Sequence, residues 1–261
     1  MPDNKKVLLA VSFGSSHNDA REAAIGAIEN SLQRANPEYE VRRAFTSRAV
    51  INIIAECENL KTDDVDKAMQ RIVADDIKEV IIQPTHILPG KEYDGIIAAV
   101  KPYAAKLESL RIGVPLLTSD SDYDALVRAL VCETEEYNAP DTAIVFMGHG
   151  TRHAANNAYS KLQRNFFEAG YSNYFVGTFE ADPSLKDIMS ALSKTAAKKV
   201  ILLPLMVTAG VHACGIMAGS ENGSWKTELE KAGYQTECVL KGLGEYLSVQ
   251  QIFAEHANDA K

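Results

Sequence analysis

Three side chains in the second half of the chain have the types and placement to hold a divalent metal ion: His149, Glu180 and His212. His149 stands between Gly148 and Gly150, just after the apolar run Ala143–Met147. Glycines on both sides let the backbone turn sharply and bring an imidazole into the open. Glu180 ends the run Tyr174–Phe179, and His212 lies in the loop Ala209–Gly215 after the run Val200–Leu203. Taken singly, each has a bland reading as a packed strand-end histidine, a solvated carboxylate or a surface-loop histidine. Together, two imidazoles and a carboxylate suit a borderline ion such as cobalt, iron, nickel or zinc. They also leave coordination positions open, which a site that delivers metal needs and a closed structural site lacks. Glu92, from the first half, offers a further carboxylate.

The remaining candidates are weaker. His86 follows Pro84 at a strand end and reads as buried or as a support to the site. His17 and His153 follow glycine loops, where helix capping and contact with a ligand carboxylate are both open, and His256 reads as solvated in a polar tail. Ser12, Ser15 and Ser16 surround Phe13-Gly14 ahead of a helix; they fit either anion binding at its N-terminus or ordinary capping. Arg43, Arg48, Lys91 and Arg152 are further candidates to meet ligand carboxylates. No Walker loop, GxGxxG, GxSxG or CxxC motif is present. The four cysteines, at 57, 132, 214 and 238, read as buried reduced thiols.

Short apolar runs must position these residues. Lys5–Val11, Val80–Gln83, Ile112–Leu117, Ala143–Met147, Val200–Leu203 and Glu237–Leu240 read as strands, with helical patterns such as Ala20–Ala35 between them. Strands alternating with helices imply βαβ units and parallel sheets. The pattern also repeats. Lys6–His17 aligns with Thr142–His153, setting Phe13 against His149, and Lys78–Pro84 aligns with Lys198–Pro204, setting Glu92 against His212. A duplicated α/β unit predicts two similar parallel-sheet lobes facing a cleft, residues 1–125 and 126–261, the second carrying most metal-site residues. Ligands of open parallel sheets bind beyond the carboxyl ends of the strands, where the singled-out residues fall.

The 261 residues, 46% hydrophobic and 24% charged, can bury a core, and the net charge of −8 argues against a nucleic-acid partner. No run approaches the ~18 apolar residues that span a bilayer. The polar start Met1–Lys6 lacks a signal-peptide pattern, so a cytoplasmic protein without a membrane partner is expected. A homo-oligomer is compatible with the sequence.

Several segments in order, Val11–Ser16, Ala44–Ser47, His86-Ile87 with Tyr93, Gly113–Leu117, Phe146–Gly150, Pro204–Met206, Ser224–Lys226 and Gly242–Glu245, resemble the anaerobic-type sirohydrochlorin cobaltochelatases, the CbiK family. The resemblance runs over nearly the whole chain. It implies a class II chelatase fold akin to ferrochelatase, with two α/β lobes around a tetrapyrrole cleft. The implied reaction is insertion of Co2+, as the substrate metal, into sirohydrochlorin without an organic cofactor. The resemblance puts the metal on His149, His212 and Glu180 and adds Glu92 as a cleft acid. The serines at 12, 15 and 16 are expected to meet the tetrapyrrole carboxylates. Some members of the family are exported with a signal peptide or bind haem between subunits, and the start of this chain resembles the cytoplasmic type. Iron or nickel insertion, and a non-catalytic carrier of metal or tetrapyrrole, are the rival readings.

Overall fold

Each half of the chain builds a four-stranded parallel sheet. The computed structural model describes residues 6–260, so Lys5, expected to open the first strand, lies outside the described residues. In the first half, β1 (Lys6–Ser12) leads into α1 (Asn18–Arg21), which passes through a π turn at Glu22–Gly26 into α2 (Ala27–Ala35). Then come β2 (Tyr39–Phe45), α3 (Arg48–Glu58), α4 (Val65–Ala74), β3 (Glu79–Pro84), α5 (Lys91–Val100) and β4 (Ser109–Ile112). The second half runs α6 (Asp120–Glu133), β5 (Thr142–Gly148), α7 (Asn157–Glu168), β6 (Tyr174–Thr178), α8 (Leu185–Leu192) and β7 (Lys199–Leu205). A π turn at Ala213–Met217 follows, then α9 (Trp225–Lys231), β8 (Gln235–Cys238) and α10 (Leu247–Asn258). The strand orders are β2-β1-β3-β4 and β6-β5-β7-β8.

The central strands β1 and β5 are apolar without alternation because helices cover both sheet faces. Val7, Leu9 and Val11 pack with Ile72, Val80 and Ile82 in the first core, and Ala143, Val145 and Met147 with Ile188, Leu202 and Trp225 in the second. Burying one such Val or Leu side chain contributes ~1.5–3 kcal/mol. Local signals set the helix starts. The Ser47 and Ser224 hydroxyls accept from Val50 N–H and Thr227 N–H, and the Asp64 carboxylate accepts from Lys67 N–H.

The register reproduces the duplication read in the sequence. Ser12 pairs with Phe45 and Val11 with Pro84; in the second half Gly148 pairs with Thr178 and Met147 with Pro204. Gly14 and Gly150, matched in the alignment, both take positive φ, +98° and +85°.

Several expectations are corrected. Ile112–Leu117 is not a strand: β4 stops at Ile112, and the apolar stretch after it runs as a loop, with Leu116 N–H and Leu117 N–H donating to the His86 and Ile87 carbonyls. The last strand is shifted back, to Gln235–Cys238. β2 was not expected, because as an edge strand it carries Glu40, Arg42 and Arg43 in place of an apolar run. The boundary between lobes also differs from residues 125/126. One compact unit reaches Thr118 and resumes at Leu247, and the other spans Ser119–Tyr246. The cause is α10, which buries Val249, Ile252, Phe253 and Ala257 and packs with α2 and β3. His256 is therefore not in a solvated tail. It is half-buried, and its Nδ1 lies 3.2 Å from the Val114 carbonyl, the geometry of an N–H donor to that oxygen. Cys57, Cys132 and Cys214 are exposed and Cys238 is half-buried, so the thiols are free but, against expectation, none is buried. No helix among the described residues is long and apolar enough to cross a membrane.

Candidate functional site

Strand ends in the second unit bring His149, Glu180 and His212 together. β5 ends at Gly148, where a side chain is barred: a Cβ would come 2.3 Å from the Tyr159 ring. Gly150, at φ +85°, completes the turn that swings His149 out, and its N–H donates to the Tyr159 hydroxyl at 3.4 Å. Burial of that phenol raises its pKa, which keeps it a neutral buttress. β6 runs on past Thr178, with Phe179 N–H donating to the Gly148 carbonyl (3.2 Å) and Glu180 N–H to the His149 carbonyl (3.0 Å). The sheet's own hydrogen-bond ladder thus delivers the carboxylate beside the imidazole. His212 sits at the head of the π turn that follows β7.

His149 Nδ1 lies 3.5 Å from Glu180 Oε2 and 3.1 Å from the Gly150 carbonyl. An Nδ1–H donating to these oxygens leaves Nε2 as the open lone pair. The His149 and His212 rings meet edge to face, centroids 5.1 Å apart at 80°. Phe179 touches both, with centroids 4.5 Å from His149 and 5.1 Å from His212. Burial against these neighbours and the nearby His149 lower the His212 pKa, outweighing the opposite pull of Glu180. His212 is thus neutral at physiological pH, as a metal ligand must be. With the rings in direct contact, no three His, Cys, Asp or Glu side chains among the described residues form a ready-made metal-holding group. The three side chains are neighbours, with Phe179 against both imidazoles.

The other expected residues stand in the first unit. Glu92 is exposed in the first turn of α5. Ser12 is buried, and its hydroxyl is hydrogen-bonded to that of Thr85 at 2.7 Å. Ser15 is buried too, its Oγ accepting from His17 N–H. Of the three serines only Ser16 is partly accessible, and Phe13 beside them is half-exposed. Arg43 is committed to Glu22 and Glu29, while Arg48, Lys91 and Arg152 are exposed. His153 resolves to capping, its Nδ1 accepting from Ala155 N–H. His86 contacts Thr46 through Nε2 (3.5 Å), and its buried Nδ1 has no hydrogen-bond partner among the described residues. Burial pushes this imidazole down to about 4. Two residues that shape the site were missed. Phe179 was read only as the end of an apolar run, and nothing local marks Tyr159 as the support of the Gly148–Gly150 turn.

Residues 6–261 match the family described as "Cobalt chelatase (CbiK)". A sirohydrochlorin cobaltochelatase of Salmonella typhimurium is 35% identical, over 98% of this chain and 96% of its own length. The sirohydrochlorin cobaltochelatase CbiKC of Nitratidesulfovibrio vulgaris is 32% identical, over 100% of this chain and 92% of its own. Among solved structures, SirB from Bacillus subtilis with Fe3+ matches at TM-score 0.68 and 14% identity, covering 98% of this chain and 95% of that one. CbiX, titled the terminal enzyme for biosynthesis of siroheme in denitrifying bacteria, matches at TM-score 0.58 and 18% identity, covering 98% and 99%. These two likenesses establish the two-lobed α/β chelatase fold.

Proposed function

The chain belongs to the cobalt chelatase (CbiK) family, and from that premise we propose how its residues perform the reaction. The protein is a metal chelatase that inserts Co2+ into sirohydrochlorin, as its full-length relatives are named for doing. Insertion removes two pyrrole protons and moves the ion from protein donors to four ring nitrogens. The observation that carries our assignment is the convergence of His149, His212 and Glu180 at the strand ends of one unit. His149 and His212 present neutral nitrogens to the ion and accept the pyrrole protons as it leaves them. Glu180 offsets the ion's charge and orients His149. Glu92 serves as a further acid for proton transfer, and Ser16 with exposed cations meets the substrate carboxylates. Reaction on a water-soluble tetrapyrrole fits a cytoplasmic location.

The test is to mix the protein with sirohydrochlorin and Co2+ and follow the tetrapyrrole absorption. Many turnovers per protein are expected. Conversion that stops at one equivalent identifies a carrier instead, and a higher kcat/KM with Fe2+ or Ni2+ reassigns the metal.

A further inference from the structure

We propose that Phe179 is a positioning residue for cobalt delivery, its ring fixing the His149 and His212 imidazoles against each other so that they engage the ion together. This rests on the assignment of the two histidines as metal donors. Three observations carry it. The ring touches both imidazoles while they touch each other, so the three rings form one closed contact cluster. Its own position is set twice, by the backbone bond to the Gly148 carbonyl and by packing against the core under β5 and β7. The sheet itself does not demand an aromatic here. In the first unit the residue with the same backbone bond, N–H to the carbonyl of the last β1 residue, is Thr46, and the corner folds equally well around it.

A rigid ring packed against two ligands acts on the metal through them. It restricts the rotamers the ligands sample before the ion arrives, and it keeps bulk water off one side of the pair. A flexible aliphatic side chain of similar volume fills the space but sets no ring plane. Phe179 touches no reacting atom in this scheme; it acts through the histidines.

The experiment titrates Co2+ alone into the full chain and its variants, reading affinity and the visible spectrum of bound Co2+, with a thermal melt as folding control. For Phe179→Leu the expected result is a native melt, a roughly 10-fold weaker affinity, the low end for losing a group that supports a metal ligand, and weaker visible bands as water replaces an imidazole. KM for cobalt rises while KM for sirohydrochlorin stays at the parent value. Phe179→Tyr, which keeps the ring, restores affinity and spectrum. If Phe179→Leu melts early, Phe179→Met, whose side chain adapts to irregular space, is read in its place. Parent affinity and spectrum in the folded aliphatic variant overturn the proposal. His149→Ala separates the two levels: if it too binds Co2+ like the parent, the histidine assignment has failed, whereas loss in His149→Ala with none in Phe179→Leu refutes the role of Phe179 alone.

Discussion

The strand ends of the two units share one backbone frame and carry opposite chemistry. In the first unit Thr46 N–H and Ser47 N–H donate to the Ser12 and Phe13 carbonyls; in the second, Phe179 N–H and Glu180 N–H donate to those of Gly148 and His149. Further along, Leu116 and Leu117 bond back to His86 and Ile87 as Leu243 and Gly244 do to Met206 and Val207. Yet where the second unit has His149, Phe179, Glu180 and Met206, the first has Phe13, Thr46, Ser47 and His86. The lesson is that a ladder of main-chain hydrogen bonds preserves the position of a side chain without constraining its type. On the proposed assignment the metal chemistry of one copy rests on a difference in these tip side chains, above sheets of the same strand order.

Removing a tip donor probes this division most strongly. His149→Ala is expected to lower insertion by more than the ~100-fold that losing a group supporting a metal ligand costs at most, while direct titration shows sirohydrochlorin binding retained. Insertion at the parent rate would place the metal elsewhere, and loss of tetrapyrrole binding would give His149 an anchoring role. Because imidazoles must be neutral to ligate, the parent's cobalt affinity, followed by calorimetry, falls as pH drops through the range in which His212 takes up a proton, a range that burial holds below the ordinary imidazole value.

The His86–Met206 difference predicts an acid response confined to the first unit. Burial disfavours the His86 imidazolium, so the folded chain takes up this proton only near about 4, whereas the unfolded chain does so near ~6.5. Stability from this group is complete above the unfolded value and is lost as pH falls from there through the folded one, about 3 kcal/mol in all. Denaturant melts across that range should show the loss, and His86→Met, which copies the second unit, should flatten it. An unchanged slope in that variant would assign the acid response to other groups.

Smaller still, His256→Ala should cost about 1 kcal/mol, the usual net worth of a hydrogen bond, read as a lower urea midpoint. A neutral result would mean that the contact with the Val114 carbonyl is not formed in solution. Least of all, Phe13→His should create no second cobalt equivalent in a titration. Its neighbours on the shared frame are Thr46 and Ser47, which offer neither the ring nor the carboxylate. A second equivalent would show that one imidazole at this corner suffices.

Much of this was legible in the sequence because buried parallel strands write themselves as unbroken apolar runs. β1 with β5, and β3 with β7, gave the repeat and its register, and the register placed His149 and His212 at strand ends. Illegible features depend on partners distant in sequence. β2 hides behind Arg42 and Arg43 because edge strands tolerate charge. Gly113–Leu117 looks like a strand by composition but spends its N–H groups on the loop after β3. Phe179 reads as core, and only the folded corner reveals the two imidazoles against it. His256 reads as part of a polar tail, although the apolar stripe of α10 docks on α2 and β3, both laid down in the first hundred residues.

That docking has a consequence for biosynthesis on the ribosome. The first unit is discontinuous: its last helix follows the entire second unit in the chain. Synthesis from the N-terminus leaves the surface of α2 and β3 uncovered until residues 119–246 have emerged. The second unit, continuous in sequence, is therefore the first that can close, and the N-terminal unit must wait with the surface that α10 covers exposed. Completion of the chain, not its beginning, seals the earlier-made half.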